Sequence, residues 1–432
     1  MVNILPIWKM KSLTIVDKKE IQQETPDFKR MLNQILVVSL GFLFTDYFII
    51  YFSNQVLNAT GLQLGLYYSI YTAASFLTSF LIGYLSDKYS KKNLIRIGSF
   101  LRGIAYIGIY LSIISFSIMG IYLSSIVLGA AVGIFWIPFD SLIAEKTSKY
   151  HRSSAYAKKT FRTDLGSIIG VFIGLFIYII FTEFQDYNHL LAYSPIIIYA
   201  LGNFIAFLRF ATIIDESLTI SEKEERKEKI SNKRTNQLKP TKYKFGLMLF
   251  FSVLFIIALI RATASIFMMP YILNNIENSA VLSIWVYLSP AIFCMIFAPK
   301  LGHLGDSVNN YLGISLACIF GGVVTFMMIF CRSIWIFILL GVFDSLIIYF
   351  YYFIIRNYLS RISITHRGKV FGLYSTINNI GYIIGAIFGG LLFDFIAETA
   401  PFIVSAFVEW SLIPIFLIAI KLTKSNVKET IN

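Results

Sequence analysis

The sequence predicts an all-α integral membrane protein, with twelve transmembrane helices in two pseudosymmetric six-helix bundles. Hydrophobic residues make up 57% of the 432 residues and charged residues only 14%, whereas a soluble domain has about 25% charged residues. Apolar segments of about 20 residues, the length that spans a bilayer, recur along the chain. A segment of the first half also returns in similar form in the second half.

Twelve apolar segments can be marked, and we number them spans 1 to 12. Backbone amides find no water partner in hydrocarbon, so each span is expected to be a helix. None shows the regular alternation that a membrane barrel requires. The spans are predicted at residues 31–52, 62–82, 94–114, 117–140, 160–182 and 190–210, and then at 245–270, 279–299, 311–330, 333–356, 370–396 and 400–421.

Polar segments divide the chain into five parts. Residues 1–30 form a tail without the pattern of a cleaved signal peptide. Residues 31–214 hold the first bundle and residues 245–421 the second. The charged segment 215–244 is predicted to be a linker between them, with a docking or regulatory role as the alternative. Residues 422–432 form the second tail.

The distribution of basic residues predicts the orientation of the chain. All Lys and Arg residues except three lie in the tails or in every second loop, and only Arg332 lies in a loop of the opposite set. Because basic loops stay in the cytoplasm, both termini are expected there, in a multi-pass protein of the cell membrane. The net charge of +13 is therefore expected to face anionic lipid headgroups, not nucleic acid.

An internal repeat relates the two halves at an offset of 215 residues. HRSSAYAKKTFRTDLGSIIGVFIG at 151–174 aligns with HRGKVFGLYSTINNIGYIIGAIFG at 366–389. A glycine at every fourth position gives one helix face a stripe that allows close packing against another helix. The packing glycines are Gly166, Gly170 and Gly174 in span 5 and Gly381, Gly385 and Gly389 in span 11.

The loop after span 2 reads GYLSDKYSKK at residues 83–92. A carboxylate in such a loop can sit at the positive N-terminal end of another helix, and lysines can reach nearby carboxylates. The loop is thus either a conformational latch or a segment that only sets the topology. The proposed latch residues are Gly83, Asp87, Lys88, Lys91, Lys92 and Asp140.

This loop, the twelve spans and the division into six and six resemble the major facilitator superfamily, over residues 31–421. Only Ser90 departs from the family's loop pattern. The resemblance implies that Asp87 meets the start of span 11 near residues 368–371, and that Lys91 meets Asp140 at the inner end of span 4. It also implies a secondary transporter that works by alternating access.

Two departures leave the direction of transport unassigned. Span 4 reads SSIVLGAAVG at 124–133, without the arginine of many proton-coupled exporters, and Val171 stands where exporters tend to have proline. Efflux of drugs or metabolites is favoured slightly over uptake of sugars or organic acids. The alternative to a transporter is a non-transporting membrane sensor on the same fold.

Three charges lie near the middle of spans and are the candidate site for substrate and proton coupling: Asp46, Arg261 and Asp344. Intramembrane ionisable groups are costly and usually functional. Asp46 and Arg261 occupy equivalent positions in the repeat, so we expect them to pair between the halves. Asp344 then lacks a fixed partner and becomes the candidate proton carrier. For Arg102 and Glu409, in spans that are peripheral in the family, snorkelling or local pairing is expected.

No catalytic constellation accompanies these charges. Cys294, Cys318 and Cys331 show no metal-ligand spacing, and the histidines lie outside the centres of the apolar segments. We therefore expect no enzyme activity, no metal and no cofactor. The expected partners are an unidentified small solute, protons and the lipid bilayer, and the chain is expected to act as a monomer.

Overall fold

A computed structural model of the chain describes residues 24–86, 88–147, 152–183, 188–220, 241–362 and 367–423, and these residues form the twelve predicted spans. Span 1 comprises Phe28–Ser39, Phe42–Tyr51 and the π-helical turn Phe52–Val56. Spans 2 to 5 are Gly61–Leu85, Lys91–Ile114, Ile118–Lys146 and Arg152–Glu183. Span 6 is Pro195–Ile213, preceded by the short helix His189–Ala192. Span 7 comprises Thr241–Ser265 and Met268–Asn275, and span 8 comprises Ala280–Ser283 and Trp285–Ser307. Spans 9 to 12 are Asn310–Met328, Ile334–Ile362, Arg367–Phe395 and Ala400–Thr423.

The composition of these helices suits a bilayer. In the described residues, 11 helices are long and apolar enough to cross a membrane. Span 2 is the twelfth long helix, with 25 residues, and its Ser, Thr and Tyr side chains lower its mean hydropathy. Spans 4, 5 and 10 continue past the predicted apolar segments, because helical hydrogen bonding does not stop where the hydrocarbon ends.

Polar side chains begin several spans. Thr60 and Gln63 form a reciprocal capping box at the start of span 2, and Ser90 and Ser117 cap spans 3 and 4 by accepting a backbone hydrogen bond. Such caps satisfy amides that have no partner within the helix. With twelve spans, the chain enters and leaves on one side. We name the side of Glu24 and Thr423 the terminal side and the opposite side the far side.

The two halves repeat the same packing. In the first half, spans 3 and 4, 2 and 4, 3 and 6, 1 and 5, and 1 and 6 are in contact. Each of these pairs has its counterpart six spans later: spans 9 and 10, 8 and 10, 9 and 12, 7 and 11, and 7 and 12. This correspondence establishes two pseudosymmetric bundles, and the most extensive contact between them joins spans 2 and 11.

The glycine stripes lie where two of these helix pairs approach closely. A Cβ atom added to Gly166 or Gly170 would overlap the carbonyl oxygen of Leu36 or Leu40 in span 1. A Cβ atom at Gly385 would overlap the Leu259 carbonyl in span 7. Gly174, Gly381 and Gly389 are similarly crowded. Each stripe therefore faces the first span of its own half, not the other half.

Candidate functional site

The two halves are joined on the far side by hydrogen bonds between spans 2 and 11. The Asp394 carboxylate accepts hydrogen bonds from the amides of Gly61 at 2.6 Å and Leu62 at 2.7 Å. One turn further along, Ala386 packs so closely that a Cβ atom at Gly65 would overlap its carbonyl oxygen. Ser69 donates to the Ile383 carbonyl at 2.9 Å. We name these contacts the far-side seal.

Contacts between spans 1 and 8 extend this closure. The Tyr47 hydroxyl is fully buried; it donates to the Ala280 carbonyl at 2.9 Å and lies 2.6 Å from the Ser283 hydroxyl. Phe172 of span 5 meets Trp285 of span 8 with 6.5 Å between ring centroids. The far side is therefore closed at several points around the boundary between the halves.

The terminal side of the same boundary is open. Phe80 and Gly83 lie near the terminal-side end of span 2, on the same helix face as Gly61, Gly65 and Ser69 near its far-side end. Phe80 is 77% exposed, and a Cβ atom at Gly83 would meet nothing within 4 Å. Gly372, near the terminal-side end of span 11, is equally uncrowded. The structure is thus sealed on the far side and separated on the terminal side.

Asp46 lies near the middle of span 1, within electrostatic range of tyrosines from both halves. Its carboxylate interacts electrostatically with five phenol groups: those of Tyr67, Tyr68, Tyr71, Tyr106 and Tyr287. The first four belong to spans 2 and 3, and Tyr287 belongs to span 8. Within the described part of the chain, the Asp46 side chain is exposed and forms neither an ion pair nor a hydrogen bond.

The predicted pair between Asp46 and Arg261 is absent, and this expectation was wrong for the conformation described. Arg261 instead lies 3.8 Å from the Glu409 carboxylate of span 12, and its guanidinium is 4.1 Å from the centroid of the Tyr351 ring in span 10. Equivalent positions in a repeat place two residues at the same depth, but they do not decide with which side chains each residue pairs. The Arg261 side chain therefore turns into its own half.

Asp344 lies beside this ion pair. Arg261, Asp344, Glu409 and Tyr382 line a cavity of about 60 Å³ within the second half, which is room for about two water molecules. Asp344 interacts electrostatically with Arg261, but among the residues described it forms no ion pair of its own. The cavity thus holds two carboxylates and one cation.

Two further charged residues change the sequence-based interpretation. Arg102 does not snorkel: it is fully buried, with its guanidinium 4.8 Å from the Phe42 ring and 4.9 Å from the Phe135 ring. Asp164 in span 5 was missed, because it lies close to the basic residues that precede the span. It interacts electrostatically with Cys294 and Tyr349 of the second half.

The loop after span 2 contacts the first half in an unexpected way. Lys91 pairs with Glu145 at 2.9 Å, and Asp140 pairs with Lys159 at 2.6 Å, so the expected contact between Lys91 and Asp140 is absent. Glu145 lies slightly more than one helical turn beyond Asp140, nearer the end of span 4. Asp87 lies outside the described residues.

The start of the linker contacts the loop after span 2. Glu216 accepts hydrogen bonds from the Ser90 hydroxyl and the Lys92 amide, both at 2.8 Å. The remaining latch candidate, Lys88, contacts Tyr84 within its own loop at 2.5 Å. These contacts join the loop to the first half and to the start of the linker, so the described part of the loop does not bridge the halves in this conformation.

A buried ion pair joins the segment before span 1 to the last residue of span 4. Asp27 and Lys146 are 2.6 Å apart and both side chains are almost fully buried. Burial disfavours the charged form of Asp27. However, hydrogen bonds from Lys146, Thr25 and the Asp215 amide outweigh that effect and lower the pKa of Asp27 below its ordinary value. This carboxylate therefore stays ionised.

Comparisons with known proteins agree with this architecture. The family profile described as Major Facilitator Superfamily matches residues 34–363 and 250–431. A bacterial homologue of the human lysosomal transporter Spinster, solved in an inward-facing and occupied conformation, superimposes with a TM-score of 0.66 at 13% identity, covering 93% of this chain and 96% of that one.

Peptide transporters of the POT group are also similar in structure. A mutant POT in complex with alafosfalin gives a TM-score of 0.70 at 12% identity, with 92% of this chain and 95% of that one covered. A proton-dependent oligopeptide transporter gives 0.72 at 12% identity, with 92% and 99% covered. At such identities the likeness establishes the fold alone. No curated protein sequence matches the chain significantly.

Proposed function

The chain belongs to the major facilitator superfamily, and from this membership we propose that it is a secondary active transporter that moves a small solute by alternating access, coupled to protons. The family and the many apolar helices make it an integral membrane protein. What supports alternating access most directly is the asymmetry between the far-side seal and the open terminal side, around an Asp46 carboxylate without a partner.

The basic residues supply the orientation in this proposal. They lie almost entirely in the tails and in the terminal-side loops, which supports a cytoplasmic terminal side in a protein of the cell membrane. The conformation described is then inward-facing. A solute could reach Asp46 from the cytoplasm but not from outside.

Proton coupling is assigned to the cavity in the second half. Arg261 pairs with Glu409 and interacts electrostatically with Asp344, so only one of the two acids has an ion pair with a cation among the described residues. A desolvated carboxylate without a cation tends to take up a proton. Asp344 is therefore the proposed proton carrier, and Glu409 replaces Asp46 as the partner of Arg261.

The proposal is tested with the purified chain in liposomes, using a panel of radiolabelled solutes with and without a pH gradient. We expect at least one solute to accumulate against its gradient only when the pH gradient is present. Counterflow exchange of that solute should proceed without the pH gradient. If no solute moves under either condition while a solute binds the purified chain, the protein is a sensor and not a transporter.

The variant Asp344→Asn separates coupling from transport. Its neutral side chain can no longer cycle a proton, so we expect accumulation driven by the pH gradient to disappear while counterflow stays within about twofold of the parent. Glu398→Gln removes a carboxylate that bonds Asn274 at the far side and serves as the control. Accumulation by Asp344→Asn at the parent rate would contradict the assignment.

A further inference from the structure

We propose that a groove between spans 9 and 12 on the terminal side binds an anionic phospholipid, with one acyl chain in the groove and the phosphate beside Lys421. The groove has a volume of about 590 Å³ and is lined by Tyr311, Leu312, Ser315, Leu417, Ile418 and Lys421. We name it the 9–12 groove. Lipid binding there does not depend on the proposed transport function, because spans 9 and 12 pack against helices of their own half.

The apolar lining of the 9–12 groove faces outward from the second bundle. Leu312 and Ile418 are exposed large apolar side chains, and both belong to helices that are long and apolar enough to cross a membrane. Other side chains of the same two helices, such as Ile314 and Phe416, are buried in the core of the bundle. In a bilayer, acyl chains are as apolar as these exposed side chains. An acyl chain can therefore lie in the groove.

The polar end of the groove lies at the level of the lipid headgroups. Lys421 lies two residues before the end of span 12, and Tyr311 is the second residue of span 9. Leu417 and Ser315 each lie one turn deeper in the same helices, about 6 Å along the axis. The Lys421 side chain is exposed and forms no ion pair with the residues that the structure describes. A lysine at this position can extend to a lipid phosphate.

In the first half, larger side chains occupy the equivalent contact between spans 3 and 6. Arg96 donates a hydrogen bond to the Phe207 carbonyl at 3.2 Å, and its guanidinium lies 4.8 Å from the centroid of the Phe207 ring. The Phe207 ring is also 5.3 Å from the Phe100 ring. Counted from the terminal-side helix ends, Ser315 and Leu417 hold the positions of Arg96 and Phe207. The smaller side chains of the second half thus leave the space that forms the groove.

The chemistry of the groove favours an anionic phospholipid over other occupants. A cation at the headgroup end selects a negative charge, and the apolar lining selects a hydrocarbon chain. The chain's own residues 424–432 read KSNVKETIN, a mostly polar segment whose two lysines would be repelled by Lys421. With the terminal side in the cytoplasm, as proposed above, the groove opens to the leaflet that carries anionic lipids.

The test compares two lipids with the same acyl chains, dioleoyl phosphatidylglycerol, which is anionic, and dioleoyl phosphatidylcholine, which has no net charge. Native mass spectrometry of the full-length purified chain in detergent counts the bound lipids at increasing lipid concentration. We expect the first phosphatidylglycerol to bind about fivefold more tightly than phosphatidylcholine, since one lysine near the headgroup contributes about that factor. Equal binding of the two lipids would overturn the proposal.

Two charge variants locate the headgroup. Lys421→Gln removes the cation and should abolish the preference for phosphatidylglycerol, so that both lipids bind alike. Arg209→Gln is the matched control, because Arg209 is an exposed basic residue near the terminal-side end of span 6, in the half where larger side chains occupy the equivalent contact. It should keep the preference of the parent. An unchanged preference in Lys421→Gln, or an equal loss in Arg209→Gln, would overturn the assignment of the headgroup to Lys421.

Two variants of Ser315 and a soluble headgroup test the acyl chain. Ser315→Phe places a ring in the groove and should weaken the binding of both lipids severalfold, whereas Ser315→Ala keeps the space and should bind within about twofold of the parent. Glycerol phosphate, which has the charge but no chain, should not displace phosphatidylglycerol. Parent-like binding by Ser315→Phe, or displacement by glycerol phosphate at equal concentration, would show that the groove holds no chain and would overturn the proposal.

Discussion

Arg261 is held by two different interactions, an ion pair with Glu409 and a stack against Tyr351. Both charged side chains are largely buried, at 17% and 7% exposure. Breaking a buried pair by removing one partner leaves an uncompensated charge. Arg261 thus stabilises the second bundle through Glu409 and Tyr351. It also holds the Glu409 carboxylate in place in the cavity that Asp344 lines.

We predict that Arg261→Gln and Glu409→Gln each lower the stability of the protein by about 3–5 kcal/mol, and that the double variant loses less than the sum. Thermal unfolding in detergent, compared as a double-mutant cycle, measures the coupling, which should be about 0.5–3 kcal/mol. Additive losses would show that the two side chains do not interact.

Asp27 and Lys146 give a second prediction at this scale, on pH. The pKa of Asp27 is lowered in the folded protein, so its contribution to stability is present above its unfolded pKa of about 3.9 and is lost as the pH falls below it. Asp27→Asn should therefore destabilise the protein at neutral pH. The difference from the parent should shrink below about pH 4.

A matched control exists for this variant. Glu24 and Lys158 are also 2.6 Å apart, but their side chains are 29% and 52% exposed. Exposed pairs contribute about 0–1 kcal/mol, so Glu24→Gln should have little effect at any pH. Chemical unfolding of the three proteins between pH 3 and 7 provides the comparison. A constant difference between Asp27→Asn and the parent would refute the pH dependence.

At the scale of helices, some glycines lie at close contacts between helices and others face open space. We predict that Gly170→Ala lowers thermal stability by about 1–3 kcal/mol, because its Cβ atom would overlap the Leu40 carbonyl in span 1. Gly372→Ala is the control: its Cβ atom would meet nothing within 4 Å, and alanine favours a helix by about 1 kcal/mol. Equal stability of the two variants would contradict the close approach.

The far-side seal is the second prediction about elements. Asp394 places a negative charge at the N-terminus of span 2, where the helix dipole favours it by about 0.3–2 kcal/mol. Asp394→Asn should therefore raise the population with an open far side. Spin labels on the far-side ends of spans 2 and 11 would report longer distances, and unchanged distances, as expected for Glu398→Gln, would exclude a role of this charge.

At the scale of the whole molecule, hydropathy and the repeat were sufficient for the twelve spans and the two bundles. Both predictions depend on many residues together, so one span of lower hydropathy, such as span 2, does not change them. The candidate site was harder to predict from the sequence. Asp46 and Arg261 share a repeat position, but the partner of Arg261 was set by the face of span 7 that meets span 12.

Residues near span ends were also hard to interpret from sequence. Asp164 follows Lys158, Lys159 and Arg162, and this context resembles a loop more than a site. Hydropathy gives no indication that the boundary between the halves opens on this side. Only the packing of span 5 against span 8 brings Asp164 close to residues of the second half.

The uncrowded glycines Gly83 and Gly372 have a practical consequence. In the proposed transport cycle, the gap that they mark must close before the site can open to the far side. An antibody fragment or a compound bound in this cleft would hold the terminal side open and stop that cycle. Its effect would come from trapping one conformation, so a solute that favours the opposite conformation would weaken its binding.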